Sequence, residues 1–550
     1  MRLRAHHLVR RLGHRVPGPF VWLLALAAAL LVTAALLRVS RWHLTHKQAA
    51  IVVSSCVAVA GVIVSLEHRR LARARLSTAH GSARWGEPRS LARRQGLILG
   101  QVRAGRPRAA LLRFDEEAHL LTLAPTGRGK GIGAVLPNLL DYRGSVLCTD
   151  IKGEAYAVSA RYRRDVLGHT IAALDPFSLA GGDAAYNPLD LVDPASDDAY
   201  DTARLIAAML VVPEPGQHEP FWDEEAASLL AGITLHVAVN APAEHRHLGT
   251  VRRLLTLGAT DFATLLNRMA RTEACHGLIH RAANRIRQKD ERLLSGVLAS
   301  TNRHTEFLDS PHLLATLKTS TFRLEDLKHW RLSVYLILPP HHLRTHGRWL
   351  RLLAASALRV LTMTPGRPAW RVLLLLDEFG ALGRMHSVEE AITYARGYGV
   401  SIWMLTQDLA QLRDLYPRSW ETLLANVKVL QAFGTADQFT AEYLSRLTGQ
   451  ATVPTRGSNR TRGSTSNNLL FVNRQQGTAE QAGEAGRRLL LADEIRRLPA
   501  DRQLLFVSGR EPLLTARVDY RRLRRFSGRA DPNPMYGDLE PPKRQRRDRR

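Results

Sequence analysis

Eight consecutive residues, Ala124-Pro-Thr-Gly-Arg-Gly-Lys-Gly131, set three glycines and a lysine between a hydrophobic run and an amphipathic one. Glycine at 127, 129 and 131 permits tight turns that aim backbone amides at phosphate oxygens. A helix starting there adds its positive N-terminal end. Thr126, Gly127, Arg128, Gly129, Lys130 and Gly131 are therefore candidate nucleotide contacts, with Lys130 reaching the β and γ phosphates. A Gly-rich strand-to-helix turn without ligand is the competing reading. Two positions depart from the general phosphate-loop pattern: Ala124 replaces the first glycine, and Gly131 replaces the Ser or Thr whose hydroxyl ligates Mg²⁺. The metal then needs another holder, such as water or an acidic pair.

That pair is found in Val372-Leu-Leu-Leu-Leu-Asp377-Glu378. A buried strand ending in two carboxylates delivers them to the carboxyl edge of a sheet, where phosphates bind. Asp377 would hold Mg²⁺ through water, and Glu378 would orient or deprotonate the water that attacks ATP. Acidic strand ends are common, so this motif gains weight from the loop. After the next apolar run, Gln407 offers an amide that can touch the γ phosphate; an ordinary residue capping the next helix is the alternative. Arg396 lies 18 positions beyond Glu378. It is either a surface arginine or one that stabilises transition-state charge in an adjacent subunit.

Strands expected to carry these groups are His119–Ala124, Ser145–Thr149, Thr170–Leu174, Leu332–Leu338, Val372–Leu376, Ser401–Leu405, Val427–Phe433 and Leu504–Val507. Near-continuous apolar runs such as Val372–Leu376 suit strands buried on both faces. Helical patterns at Gly129–Leu140, Trp349–Leu361, Val388–Tyr398 and Phe439–Leu447 supply crossovers, which makes the class α/β with a mostly parallel sheet. From about Asp197 to Lys328 the strand signal fades. Asp198–Leu210, Asp223–Val239, Phe262–Arg271 and Gly277–Thr301 read as helices of an all-α insertion. Thr455–Asn468, rich in Gly, Ser, Asn and Arg, reads as a mobile loop, and Pro541–Arg550 as a disordered basic arm.

The 77 Lys and Arg against 50 Asp and Glu leave a net charge of +27, which favours acidic partners such as nucleic acid or anionic lipid. A general compositional bias towards arginine accounts for the excess equally well. Cys56, Cys148 and Cys275 have no metal spacing and suggest no disulfide framework, as in a reducing compartment. His341, His342 and His346 lack an acidic or Cys partner in sequence, which argues against a metal site. Near the start, residues 20–37 and 49–66 are free of Lys, Arg, Asp and Glu. Each would span roughly 27 Å as a helix, slightly short of a ~30 Å hydrocarbon core. Trp22 and Trp42 would sit at its interfaces, and the arginine-rich flanks predict both ends inside. The expectation is a multi-pass protein of the bacterial inner membrane with a large cytoplasmic domain. A cleaved signal peptide is the alternative for the first run.

Taken in order, these segments resemble the type IV secretion coupling proteins, the TraG/TraD-like ATPases of conjugation. The likeness runs from about Gly81 to Tyr520. It rests on Gly81-Ser-Ala-Arg-Trp-Gly86, Ala124–Gly133, Leu136-Pro-Asn-Leu139, Asp150-Ile-Lys-Gly-Glu154, Tyr186-Asn-Pro-Leu-Asp190, Phe221-Trp222, Asp377–Met385, Thr406–Gln407 and Leu489–Pro499. The family commonly has Gly after the loop lysine, so Gly131 fits it. The spacing of Arg396 also matches its inter-subunit arginine. Ile151 stands where the family has Pro, Arg128 where it often has a small polar residue, and the 11-residue link 38–48 leaves no room for a small external domain.

The resemblance implies a RecA-like P-loop domain that binds ATP and Mg²⁺ and assembles as a homo-hexamer. It further implies docking on type IV secretion channel components and delivery of a single-stranded DNA–relaxase complex. Export of protein effectors is a second reading, and a non-hydrolysing nucleotide-dependent receptor a third. The expected partition is an anchor over 1–75, the nucleotide-binding domain over 76–196 and 329–527, the all-α insertion over 197–328 and a tail over 528–550.

Overall fold

The structure is a computed structural model that describes residues 78–93, 95–102, 110–212, 220–466 and 472–535. The chain divides into two units, Ala83–Ala451 with Arg488–Arg550, and Met1–Ser82 with Thr452–Arg487.

The larger unit is built on one eleven-stranded sheet. In chain order its strands are β1 (Leu97–Gln101), β2 (Leu111–Phe114), β3 (His119–Leu123), β4 (Val146–Asp150), β5 (Thr170–Leu174), β6 (Leu332–Ile337), β7 (Val372–Leu376), β8 (Val400–Thr406) and β9 (Val427–Ala432). A separate two-stranded sheet, β10 (Gln450–Ser466) and β11 (Val472–Arg488), intervenes before β12 (Arg502–Val507) and β13 (Leu513–Ala516). The order across the main sheet is β2-β1-β13-β12-β9-β3-β8-β7-β4-β6-β5. From β9 to β5 every pairing is parallel, whereas β12, β13, β1 and β2 extend the sheet antiparallel beyond β9. A mostly parallel α/β sheet is thus what the apolar runs predicted.

Side chains alternate between two cores. Val372, Leu374 and Leu376 of β7 enter one, and Leu373 and Leu375 the other. This two-sided burial is why the strand reads as uninterrupted leucine. Eight strands fall within a few residues of their expected positions. β1, β2 and β13 were not anticipated from the sequence.

Between β5 and β6 the chain is helical, with major helices Ala199–Leu210, Pro220–Asn240, Leu248–Leu255, Ala259–Met269, Leu278–Arg287 and Glu291–Thr305. Pro220–Asn240 is buried continuously from Leu229 to Ala238, as suits a helix packed on several sides. The single helix expected over Gly277–Thr301 is two. Asp290 interrupts it, its side chain accepting the Leu293 N–H at 2.8 Å as an N-cap.

Two expectations are corrected. A loop was expected over Thr455–Asn468, yet its described part, residues 455–466, belongs to β10, which pairs with β11. Backbone ladders can form without the apolar alternation on which strand detection relies. The multi-pass inner-membrane placement does not stand, because among the described residues no helix is long and apolar enough to cross a membrane. The 21-residue helix Leu343–Met363 has the length but carries Arg344, Arg348, Arg351 and Arg359. Residues 20–37 and 49–66, together with Pro541–Arg550, lie outside the described residues.

Candidate active site

β3 ends at Leu123 near the middle of the sheet, and the loop Ala124–Lys130 turns there into a helix. Gly127 and Gly129 take φ values of 74° and 80°, a left-handed backbone that suits glycine. The helix opens with a π turn at Gly131–Val135 before the α turn Leu136–Leu139. Asn138, buried, fixes it to β1: its Oδ1 accepts the Ile98 N–H at 2.8 Å and its Nδ2 donates to Ile98 O at 2.9 Å.

The carboxyl ends of β3, β4, β7 and β8 converge with this loop on a cavity of about 400 Å³. Thr126, Gly127, Gly129, Lys130, Gly131, Asp377, Glu378 and Gln407 all line it. Lys130 Nζ lies 3.0 Å from Glu378 Oε1 and donates to Ala124 O at 3.1 Å. The other carboxylate oxygen of Glu378 accepts from Gln407 Nε2 at 3.4 Å. Glu378 itself has φ 49°, an uncommon conformation for a non-glycine residue that turns the chain sharply after β7. The loop lysine, the second acidic residue and the amide therefore form one chain of contacts.

Asp377 is half-buried, and its Oδ1 accepts the Glu378 N–H at 3.0 Å. Burial pushes its carboxyl up to about 7, helped by the charge of Glu378 and opposed by Lys130. Asp150, ending neighbouring β4, is likewise raised by burial to about 6, against the N–H bonds it accepts at the start of the next helix. Two carboxyls with raised proton affinity, Asp150 buried and Asp377 half-buried, lie beside a lysine and a glycine loop and suit a site that takes up a cation together with phosphate.

Arg128 and Arg396 are placed apart from this group. Arg128 lines a second cavity of about 430 Å³ on the other side of the loop, shared with Arg517, Asp501 and Asp519. Arg517 bonds the loop carbonyl of Gly129 at 3.2 Å and stacks 4.1 Å above the Phe433 ring. Arg396 sits in a 3-10 turn just before β8. It is at the amino edge of the sheet, whereas the cavity is at the carboxyl edge. The seven residues of β8 separate the two by about 20 Å. Its charge is felt at His119 of β3, whose imidazole is held down near 4 mainly by burial, with Arg396 adding to the effect.

Three further cavity residues had no role assigned from sequence. Gln411 accepts from Thr406 Oγ1 at 2.6 Å, one helical turn after Gln407. Asp150 and Glu154 had stood only as part of a motif. Their signal was the second acidic strand end, at β4, next in the sheet to β7.

The family model described as "Type IV secretory system Conjugative DNA transfer" matches residues 86–535. The chain belongs to that family. The Escherichia coli conjugal transfer protein TraG is 28% identical over 413 residues, covering 68% of this chain and 65% of the relative. The chain thus spans about two-thirds of that protein's length. The Agrobacterium fabrum VirD4 protein is 29% identical over 467 residues, covering 81% of this chain and 67% of the relative.

Among solved structures, the bacterial conjugative coupling protein TrwB, lacking its first 70 residues, shares the fold. Its TM-score is 0.58 at 17% identity, with 78% of this chain and 90% of that one covered. TrwB has also been solved with the ATP analogue ADPNP and with ADP and Mg²⁺.

Proposed function

We propose that this chain is an ATP-hydrolysing coupling protein that drives a single-stranded DNA–relaxase complex into a type IV secretion channel during conjugative transfer, working as a homo-hexamer. The observation that carries the reading is the convergence of Lys130, Asp377, Glu378 and Gln407 on one cavity beside a glycine loop. Family membership supports the cargo and the partners.

In this reading Lys130 leaves Glu378 to meet the phosphates, and the loop amides from Thr126 to Gly131 cradle them. Glu378, released, holds the attacking water and takes its proton. Gln407, already in contact with Glu378, senses whether the γ phosphate is present. Asp377 ionises to face the metal; Mg²⁺ when bound neutralises phosphate charge. The cavity containing Arg128 and Arg517 leaves room for the rest of the nucleotide. Arg396 serves a neighbouring subunit, since its own site is out of reach.

The test is phosphate release by the purified protein with and without single-stranded DNA. Wild type should turn over ATP and be stimulated by DNA, while Lys130→Ala and Glu378→Gln should not turn over. Equal background rates in all three would dismiss the motor. Stimulation by secreted proteins but not by DNA would move the cargo to protein.

A further inference from the structure

A serine or threonine after the loop lysine gives many phosphate loops their protein ligand to Mg²⁺. Here Gly131 offers no hydroxyl, and beyond its own helix the space where a side chain would stand is nearly empty. A Cβ placed on Gly131 would meet a single atom, Glu154 Oε2, at 4.0 Å. That carboxylate comes from a different strand end: β4 stops at Asp150, Gly153 turns the chain with φ 70°, and Glu154 opens the helix Glu154–Asp165. Its side chain is 16% accessible and lines the cavity. Asn533 Nδ2 donates to its Oε2 at 3.1 Å, and Lys152 Nζ approaches Oε1 at 3.9 Å.

We propose that Glu154 supplies the cation-holding oxygen that the loop lost at Gly131, so that Glu154 and Asp377, carried by neighbouring strands β4 and β7, would be the residues that hold Mg²⁺. The inference rests on the nucleotide reading above and adds a residue to it. Among the described residues no three His, Cys, Asp or Glu side chains are grouped to hold a metal unaided. Mg²⁺ ordinarily shares its shell with phosphate and water, so it needs only one or two carboxylates from the protein. Oxygen is the ligand type it requires, and a carboxylate adds the charge a hydroxyl lacks. The competing role for Glu154 is structural, since an acidic residue in a first turn favours the helix N-terminus. That role predicts a change in thermal stability and no change in metal dependence.

The experiment is equilibrium binding of a fluorescent ADP to the full chain across a Mg²⁺ titration, with thermal melting in parallel. Wild type should bind more tightly as Mg²⁺ is added. Glu154→Gln should bind the metal-free nucleotide within about twofold of wild type, but need at least tenfold more Mg²⁺ for half of the enhancement. Adding Gly131→Ser to Glu154→Gln restores a hydroxyl in the open space and should recover part of that loss. A Glu154→Gln protein that melts earlier yet keeps the wild-type Mg²⁺ midpoint overturns the proposal in favour of the structural role. Should Glu154→Gln fail to fold, Glu154→Asp decides the point, because it keeps the charge at the helix start and withdraws the oxygens by one methylene. Wild type that binds no ADP at any Mg²⁺ concentration would instead dismiss the nucleotide reading itself.

Discussion

At the scale of single residues, the contact between Lys130 and Glu378 would, in the proposed reading, couple binding to readiness for chemistry. While the lysine lies 3.0 Å from Glu378, neither group is free for its proposed task. Glu378→Gln removes the charge that holds Lys130, so turnover should fall by at least about 10²-fold while ADP binding is kept or tightened. Calorimetric titration beside phosphate release checks both halves, and weakened ADP binding would show the pair to be a support for the loop. Asp377 gives a pH signature with a definite sign. Its folded carboxyl is raised to about 7, so the folded state binds its proton more tightly than the unfolded chain. The stability from this group is full at low pH and is lost as pH climbs towards 7. Asp377→Asn cannot incur that loss. The melting temperature of this variant relative to wild type should rise from pH 5 to pH 8, and a constant difference would contradict the raised value. Asp377, Glu378 and Gln407 were legible in sequence because each stands just past an apolar run, and Lys130 because glycines flank it. Glu154 and Gln411 were not, because their relation to the cavity depends on which strands are neighbours.

At the scale of elements, legibility followed uninterrupted apolar sequence rather than burial, since β1, which was missed, is buried along its whole length. The parallel strands are covered on both faces and appear as apolar runs, so β3 to β9 could be read directly. β1, β2 and β13 are four or five residues long, and β1 and β2 include Gly100, Gln101 and Arg113. Such strands resemble loop until an antiparallel partner is known. Polar residues in the sheet interior are explained only by the fold. Thr122 Oγ1 donates to Gln431 Oε1 at 2.8 Å, and Gln431 Nε2 donates to Gln503 Oε1 at 2.8 Å, which ties β3, β9 and β12 together side chain to side chain. Arg163 is the clearest case, fully buried, its guanidinium donating to Leu139 O, Tyr142 O and Gly144 O at 2.8 to 2.9 Å. It closes the far end of the phosphate-loop helix. Arg163→Met would strand these carbonyls, so unfolding in urea should show a loss of at least about 3 kcal/mol.

At the scale of the whole molecule, two quantities go beyond any one element, the net charge and the geometry of Arg396. A charge of +27 makes binding of single-stranded DNA steeply salt-dependent if lysines and arginines neutralise its phosphates. The logarithm of affinity should fall by about 0.7 per phosphate contact for each tenfold rise in salt. A flat salt dependence would remove DNA as cargo. The position of Arg396 carries the stronger consequence. The strand length of β8 keeps it at the edge of the sheet opposite to its own Lys130, so a site that needs both must take them from two chains. Lys130→Ala and Arg396→Ala should each be inactive alone, for different reasons. When they are mixed, an interface can form in which the Arg396→Ala chain supplies an intact cavity and the Lys130→Ala chain supplies the arginine. Phosphate release should then reappear, rise with total protein concentration and peak near equal proportions of the two variants. If the mixture stays as inactive as its components while light scattering shows mixed assemblies, Arg396 acts elsewhere. Recovery would establish that hydrolysis belongs to the junction between chains, which is the arrangement a motor needs for one site to report on the next.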